Sequence, residues 1–235
     1  MKRISHLRLL ALAAMMGAAS CGPALAAPGG VAITEWMYQG NGTGGLGEFV
    51  ELTNFGAGAV DFTGWSFDDN SRAPGSQSLS GFGVVAAGES VIFTELSATA
   101  FRSDWSLSSG VKVISIGASN NLGRSDEINI YNSASILVDR LTFNDAVAGP
   151  RTQGTSGVPG SLAAIAANSP GLWKLSAIND TEHSYASTLG EIGSPGTTLY
   201  AIAAVPEPGT CALVLAGLGL VGLAKRRRGD RGIRT

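Results

Sequence analysis

Cysteine occurs only at positions 21 and 211 of the 235-residue chain, and histidine only at 6 and 183. A disulfide framework, a thiol nucleophile and a Cys- or His-rich zinc site are therefore excluded from the stretch 27–205 by simple absence. A Ser-His-Asp triad would have to use His183 as its base, and no G-x-S-x-G elbow accompanies it. Within Asp180-Thr181-Glu182-His183-Ser184 that histidine reads as a solvated turn residue. Charge is scarce too, at 14% of residues against the usual quarter, and no long amphipathic stretch of helical period appears. Basic charge in particular is missing from the middle of the chain. Residues 27–205 hold sixteen acidic side chains against seven basic ones, a net charge of -9. A nucleic-acid partner needs the opposite sign, because phosphate neutralisation supplies most of the affinity, so no nucleic acid is expected as a partner.

The basic residues gather at the two ends. Lys2, Arg3 and Arg8 precede an apolar run over 9–19, and Ala24-Leu25-Ala26 follows with small residues at the two positions a signal peptidase inspects. This is the pattern of a secretory signal peptide, 1–26, cleaved after Ala26 or one residue later with Ala24 and Ala26 as the recognised positions; the apolar run is too short for a permanent span. Cys21 after Ala18-Ala19-Ser20 raises a lipoprotein alternative, but the Leu expected three residues before the Cys is missing.

The other end, 201–235, has three parts: Val205-Pro206-Glu207-Pro208-Gly209, then fifteen uncharged, mainly apolar residues over 210–224, then Lys225, Arg226, Arg227 and Arg228. As a helix the apolar run would rise about 22 Å, short of the roughly 30 Å of bilayer hydrocarbon, which suits a temporary transmembrane anchor. The positive-inside rule keeps the basic cluster cytoplasmic and the acidic domain on the far side. Pro206-Glu207-Pro208, the apolar helix and the Arg cluster together resemble the PEP-CTERM sorting signal of Gram-negative, exopolysaccharide-producing bacteria, and the resemblance covers about the last thirty residues. It implies a bacterial source and recognition by an exosortase, a membrane-embedded cysteine transpeptidase. The sorting residues would then be Pro206, Glu207, Pro208, Lys225, Arg226, Arg227 and Arg228.

Between the ends, glycine is abundant, 33 of 235 residues, and apolar residues recur with period two in short runs separated by turn formers, the signature of strands. Strands are expected at 31–38, 48–54, 65–68, 90–95, 111–117, 127–132, 136–143 and 172–177. Breaks such as Gly40-Asn41-Gly42, Asp69-Asn70-Ser71 and Asn132-Ser133 separate them, and the set predicts two antiparallel sheets packed face to face. The stretch 146–171 shows no clear strand; a short helix over 162–167 is the element it would hold.

Val31-Ala32-Ile33-Thr34-Glu35, Glu48-Phe49-Val50-Glu51-Leu52-Thr53-Asn54 and Gly64-Trp65-Ser66-Phe67 occur in that order, followed by Asp126-Glu127-Ile128-Asn129-Ile130-Tyr131, Trp173 and Gly193-Ser194-Pro195-Gly196. In this order the pieces resemble the lamin tail domain. The resemblance implies an all-β fold, an immunoglobulin-like antiparallel β-sandwich over 27–200, flanked by the signal peptide and the single apolar helix.

Carboxylates are the plentiful reactive groups. Glu48 and Glu51, three apart on a strand, point to opposite sides, and the adjacent pair Asp126-Glu127 likewise diverges. Asp68-Asp69-Asn70-Ser71 gathers oxygens in a loop, but position five from Asp68 is Arg72 and position twelve is Leu79, so the calcium-hand spacing fails. No cofactor is expected, with calcium the one ion the acidic composition favours. Of the four tryptophans, Trp65 and Trp173 lie in strand-like segments and belong in a core, whereas Trp105 is the candidate for exposure and sugar contact. The expectation is an exported, non-enzymatic surface or matrix protein, held in the inner membrane before exosortase processing and then found at the cell surface or outside the cell. Its task would be structural or adhesive, with exopolysaccharide or another matrix component as partner. The alternative is a secreted hydrolase acting on polysaccharide or nucleic acid through acidic residues.

Overall fold

The described residues, 30–118 and 121–203 of the computed structural model, form fourteen strands. In chain order these are β1 (Val31–Met37), β2 (Phe49–Asn54), β3 (Val60–Asp61), β4 (Ser66–Asp68), β5 (Gln77–Ser78), β6 (Val84–Val85) and β7 (Ser90–Thr94). A helix, α1 (Ala98–Asp104), leads to β8 (Lys112–Ser115), β9 (Ser125–Tyr131) and β10 (Leu137–Asn144). The last four are β11 (Gly157–Pro159), β12 (Trp173–Leu175), β13 (Tyr185–Ala186) and β14 (Ile192–Gly193). The signal peptide and the tail from 204 onward, including the apolar run 210–224, lie outside the described residues. No described helix is long and apolar enough to cross a membrane.

A six-stranded sheet in the order β12-β11-β1-β2-β7-β8 faces a four-stranded sheet in the order β10-β9-β4-β5. Ile33, Trp36, Val50, Leu52 and Phe93 from the first share one buried cluster with Phe67, Ile128, Ile130, Leu141 and Phe143 from the second. The rings interlock across the gap, Trp36 to Phe143 at 4.1 Å and Phe67 to Phe93 at 4.7 Å between centroids. Asp139 of β10 also bonds across it, accepting the Ile33 N–H at 2.8 Å.

The eight expected strands all form, within two residues at each end. Four features depart from expectation. The pair β7 and β8 is parallel, because α1 carries the chain back to run in the same direction. Helix α1 has seven residues, capped by Ser97 Oγ, which accepts the Ala100 N–H; two turns are too short to show a helical period. The stretch 146–171 does contain a strand: β11 lies between β1 and β12 in the large sheet. It escapes detection because Gly157-Val158-Pro159 has no alternation, and glycine is needed where a Cβ would come within 3.0 Å of the Trp36 indole nitrogen. The helix expected over 162–167 is only a 3-10 turn, Leu162–Ala164.

A third layer covers the outer face of the large sheet. Met37, Phe49, Ile92 and Val113 pack there against Phe101 and Trp105 of the α1 region, with Tyr185 beside them. Every residue of β1 and β2 is consequently buried, on both faces.

Candidate functional site

The sorting residues Pro206, Glu207, Pro208, Lys225, Arg226, Arg227 and Arg228 and the cleavage residues Ala24 and Ala26 lie outside the described residues. All four tryptophans are interior. Trp65 and Trp173 sit in the sandwich core as their strands require, but Trp105 is only 1% exposed, which overturns its reading as a surface contact. It closes the outer layer, edge-on to Phe49 at 5.8 Å and to Tyr185 at 5.7 Å. His183 is exposed at φ 60° in a tight turn, its N–H bonded to Asp180 O. The oxygens of Asp68 and Asp69 cap their own turn: Asp68 Oδ2 accepts from Ser71 Oγ and the Ala73 N–H, and Asp69 Oδ1 accepts the Ser71 N–H. Among the described residues no three His, Cys, Asp or Glu side chains are grouped to hold a metal ion.

The structure does bring carboxyls together, by a device that strand periodicity hides. The β1–β2 register shifts between Ile33 and Glu35, so that Ile33 pairs with Leu52, while Glu35 pairs with Glu51. This bulge turns two successive side chains, Thr34 and Glu35, to the outer face. Glu35 and Glu51 thus lie side by side beneath the third layer, 1% and 0% exposed. Glu35 Oε1 accepts from Ser156 Oγ and from the Ser194 N–H at 2.8 Å, and its Oε2 accepts from Ser194 Oγ at 3.1 Å. Glu51 accepts from Thr34 Oγ1 at 2.7 Å and the Gly196 N–H at 2.6 Å. Burial pushes Glu35 up to about 7 against the opposing hydrogen bonds. Burial, with the charge of Glu35 added, holds Glu51 well above the carboxylate range. The pair works as a clasp, fastening the segment that carries Ser194 and Gly196 onto the sheet.

A second acidic constellation is open to solvent. At one end of the sandwich, Tyr38 and Gln39 follow β1, Glu48 precedes β2, Glu95 follows β7, and Asn121 and Arg124 precede β9; together they line a cleft of about 230 Å3. The glycine-rich loop 40–47 forms one wall. It folds back so tightly that a Cβ on Gly40 would lie 2.5 Å from the Gly47 Cα, and Gly47 itself takes φ 127°. Glu95 Oε1 holds the loop by accepting the N–H groups of Gly47 and Glu48, at 2.7 and 3.0 Å. Glu48 Oε2 accepts the Leu122 N–H at 2.6 Å. Burial, with smaller repulsion from Glu95, Asp126 and Asp69, pushes the Glu48 carboxyl up to about 9, so it is neutral at pH 7. Arg124 Nε and the Tyr38 hydroxyl both donate to Asp145 Oδ2, at 2.9 and 2.8 Å. Sequence reading placed Glu48 away from Glu51 correctly but had no signal for its meeting with Glu95, which is 47 positions away in the chain.

Two packed sheets bearing a covered outer face, followed directly by a tripartite tail, define an exported β-sandwich module. The family model of the Lamin Tail Domain matches residues 24–145, and that of the PEP-CTERM protein-sorting motif matches residues 204–228. The chain belongs to the lamin tail domain family, and its tail marks it for export, recognition by exosortase and membrane-anchored sorting to the surface. No curated protein and no solved structure matches it.

Proposed function

We propose that the folded part, 27–200, is a non-catalytic module with a structural or adhesive task on the cell surface or in the extracellular matrix, where exopolysaccharide is its partner. The observation that carries this reading is position: the last described turn, Leu199–Ala203, ends where the match to the sorting motif begins at 204, so the sandwich is the folded part that adjoins the sorting signal. The buried carboxyl pair Glu35 and Glu51 is spent on internal fastening. The test is retention of the exported protein on exopolysaccharide purified from the same cells. Co-sedimentation that saturates supports the reading; recovery of all the protein in the supernatant contradicts it. The module is proposed to need no cofactor, so millimolar calcium should leave its melting temperature unchanged.

One observation favours the hydrolase reading as the second choice: Glu48 and Glu95 line the same cleft, and Glu48 carries its proton at neutral pH as a general acid must. Glu95 argues the other way, since one of its oxygens already takes two backbone N–H groups. Release of reducing ends from the polymer by the parent, lost in Glu48→Gln, would establish the hydrolase.

A further inference from the structure

The open cleft has a chemical character that selects among ligands. Its donors are the Gln39 and Asn121 amides and the Arg124 guanidinium, of which Nε alone is committed to Asp145. Its acceptor is Glu95 Oε2, held by Asn121 Nδ2 at a loose 3.4 Å that a ligand hydroxyl can displace. The Glu48 carboxyl and the Tyr38 ring complete the lining. An anion would meet Glu95, and a cation would meet Arg124. A ligand whose every polar group both donates and accepts would satisfy all of them, and hydroxyl groups do this. The size is also selective. At about 230 Å3 the cleft holds roughly seven waters at about 30 Å3 each, and it is smaller than the roughly 300–1,000 Å3 of sites for drug-sized molecules.

We infer that this cleft is a subsite for one neutral sugar unit, seated between the glycine-rich loop 40–47 and Arg124. The proposal rests on the matrix-binding reading above and gives it a place on the molecule. A neutral Glu48 carboxyl fits it, because the protonated group can donate to one sugar hydroxyl and accept from another.

Ligand-observed NMR titration of the purified full-length chain tests the inference, with methyl α-D-glucopyranoside, methyl α-D-galactopyranoside, methyl α-D-mannopyranoside and sodium glucuronate as probes. At least one neutral glycoside should bind saturably, with glucuronate at least tenfold weaker. Glu95→Gln keeps the oxygen that holds the loop, and Gln39→Ala removes a side chain outside the core; each should weaken binding about tenfold while leaving the melting temperature in place. The inference is overturned if none of the three glycosides binds, if glucuronate binds as tightly, or if both variants bind like the parent. Retention of both variants on the whole polymer, with glycoside binding lost, would support the subsite and show that matrix adhesion lies elsewhere. Glycoside binding by a parent that ignores the polymer would support the subsite and sink the matrix reading instead.

Discussion

Glu35 and Glu51 are paired across two strands, yet neither forms an ion pair among the described residues. Two adjacent buried carboxyls cannot both ionise cheaply, so the folded state holds protons that the unfolded chain releases. The sign follows directly. Glu35 is raised to about 7, Asp139 to about 6 and Glu48 to about 9, each chiefly by burial. Their contribution is complete below the unfolded carboxyl range and is lost as pH rises through those folded values. The domain should therefore melt at a higher temperature at pH 5 than at pH 8.5. Ionising Glu35 alone costs about 3 kcal/mol, so Glu35→Gln should flatten the slope between pH 5 and 7. A melting temperature that rises steadily across this range would contradict the assignment. Glu127 has the opposite sign: hydrogen bonding from Arg72 lowers it to about 2, so its contribution fades only as pH falls below the usual carboxyl range. Trp65, 9% exposed and packed at a tilt against Phe62 with 4.5 Å between ring centroids, belongs to the core. Trp65→Ala should cost about 3–5 kcal/mol of unfolding free energy in a denaturant titration. A variant that unfolds like the parent would return the ring to the surface.

Among the elements, strands whose apolar residues recur between turn formers are legible in the sequence. Ile128 and Ile130 against Asn129 and Tyr131 give β9 at once, and the structure pairs it with β10. Elements whose shape is set by tertiary packing are not legible. Strand β11 owes its place to Gly157 fitting beneath Trp36, and the bulge at Thr34 reverses the face on which Glu35 would fall by strict alternation. The clasp itself was therefore unreadable, because it depends on that one-residue slip. Its tightness can be probed at Gly193, next to the Glu35 partner Ser194. A Cβ there would come 2.7 Å from Glu35 Oε1, 2.9 Å from Ser156 Oγ and 3.1 Å from the Trp105 ring. Gly193→Ala should destabilise the domain by about 1–3 kcal/mol in thermal unfolding. A neutral result would mean that β14 yields easily and that the clasp is loose.

For the molecule as a whole, the family match ends at 145, but the fold does not. Strands β11 and β12 extend the large sheet, and Ser156, Ser194 and Gly196 supply the partners of its two buried carboxyls. A fragment stopping at 145 would keep α1 over the outer face but would leave Glu35 and Glu51 without their Ser156, Ser194 and Gly196 partners and β1 without its β11 neighbour. It should show no cooperative melting transition, whereas the fragment 27–203 should show one that reducing agent does not move, since that stretch has no cysteine. Cooperative unfolding of the shorter fragment would show that the segment after 145 is dispensable.

The central claim is that this sandwich is cargo for a sorting tail, and fractionation of the cells that make it tests that claim most directly. On the proposed reading, the four positive charges of Lys225, Arg226, Arg227 and Arg228 serve as the stop on the cytoplasmic side, and Pro206-Glu207-Pro208 serves as the recognised segment. In cells expressing the parent, the acidic domain without its tail should appear outside the inner membrane. With Pro206→Ala and Glu207→Ala, full-length protein should accumulate in that membrane instead, and with Ser at 225–228 uncut precursor should slip through. Processing and export of both variants at the parent's level would contradict the account and leave the tail as an ordinary short anchor.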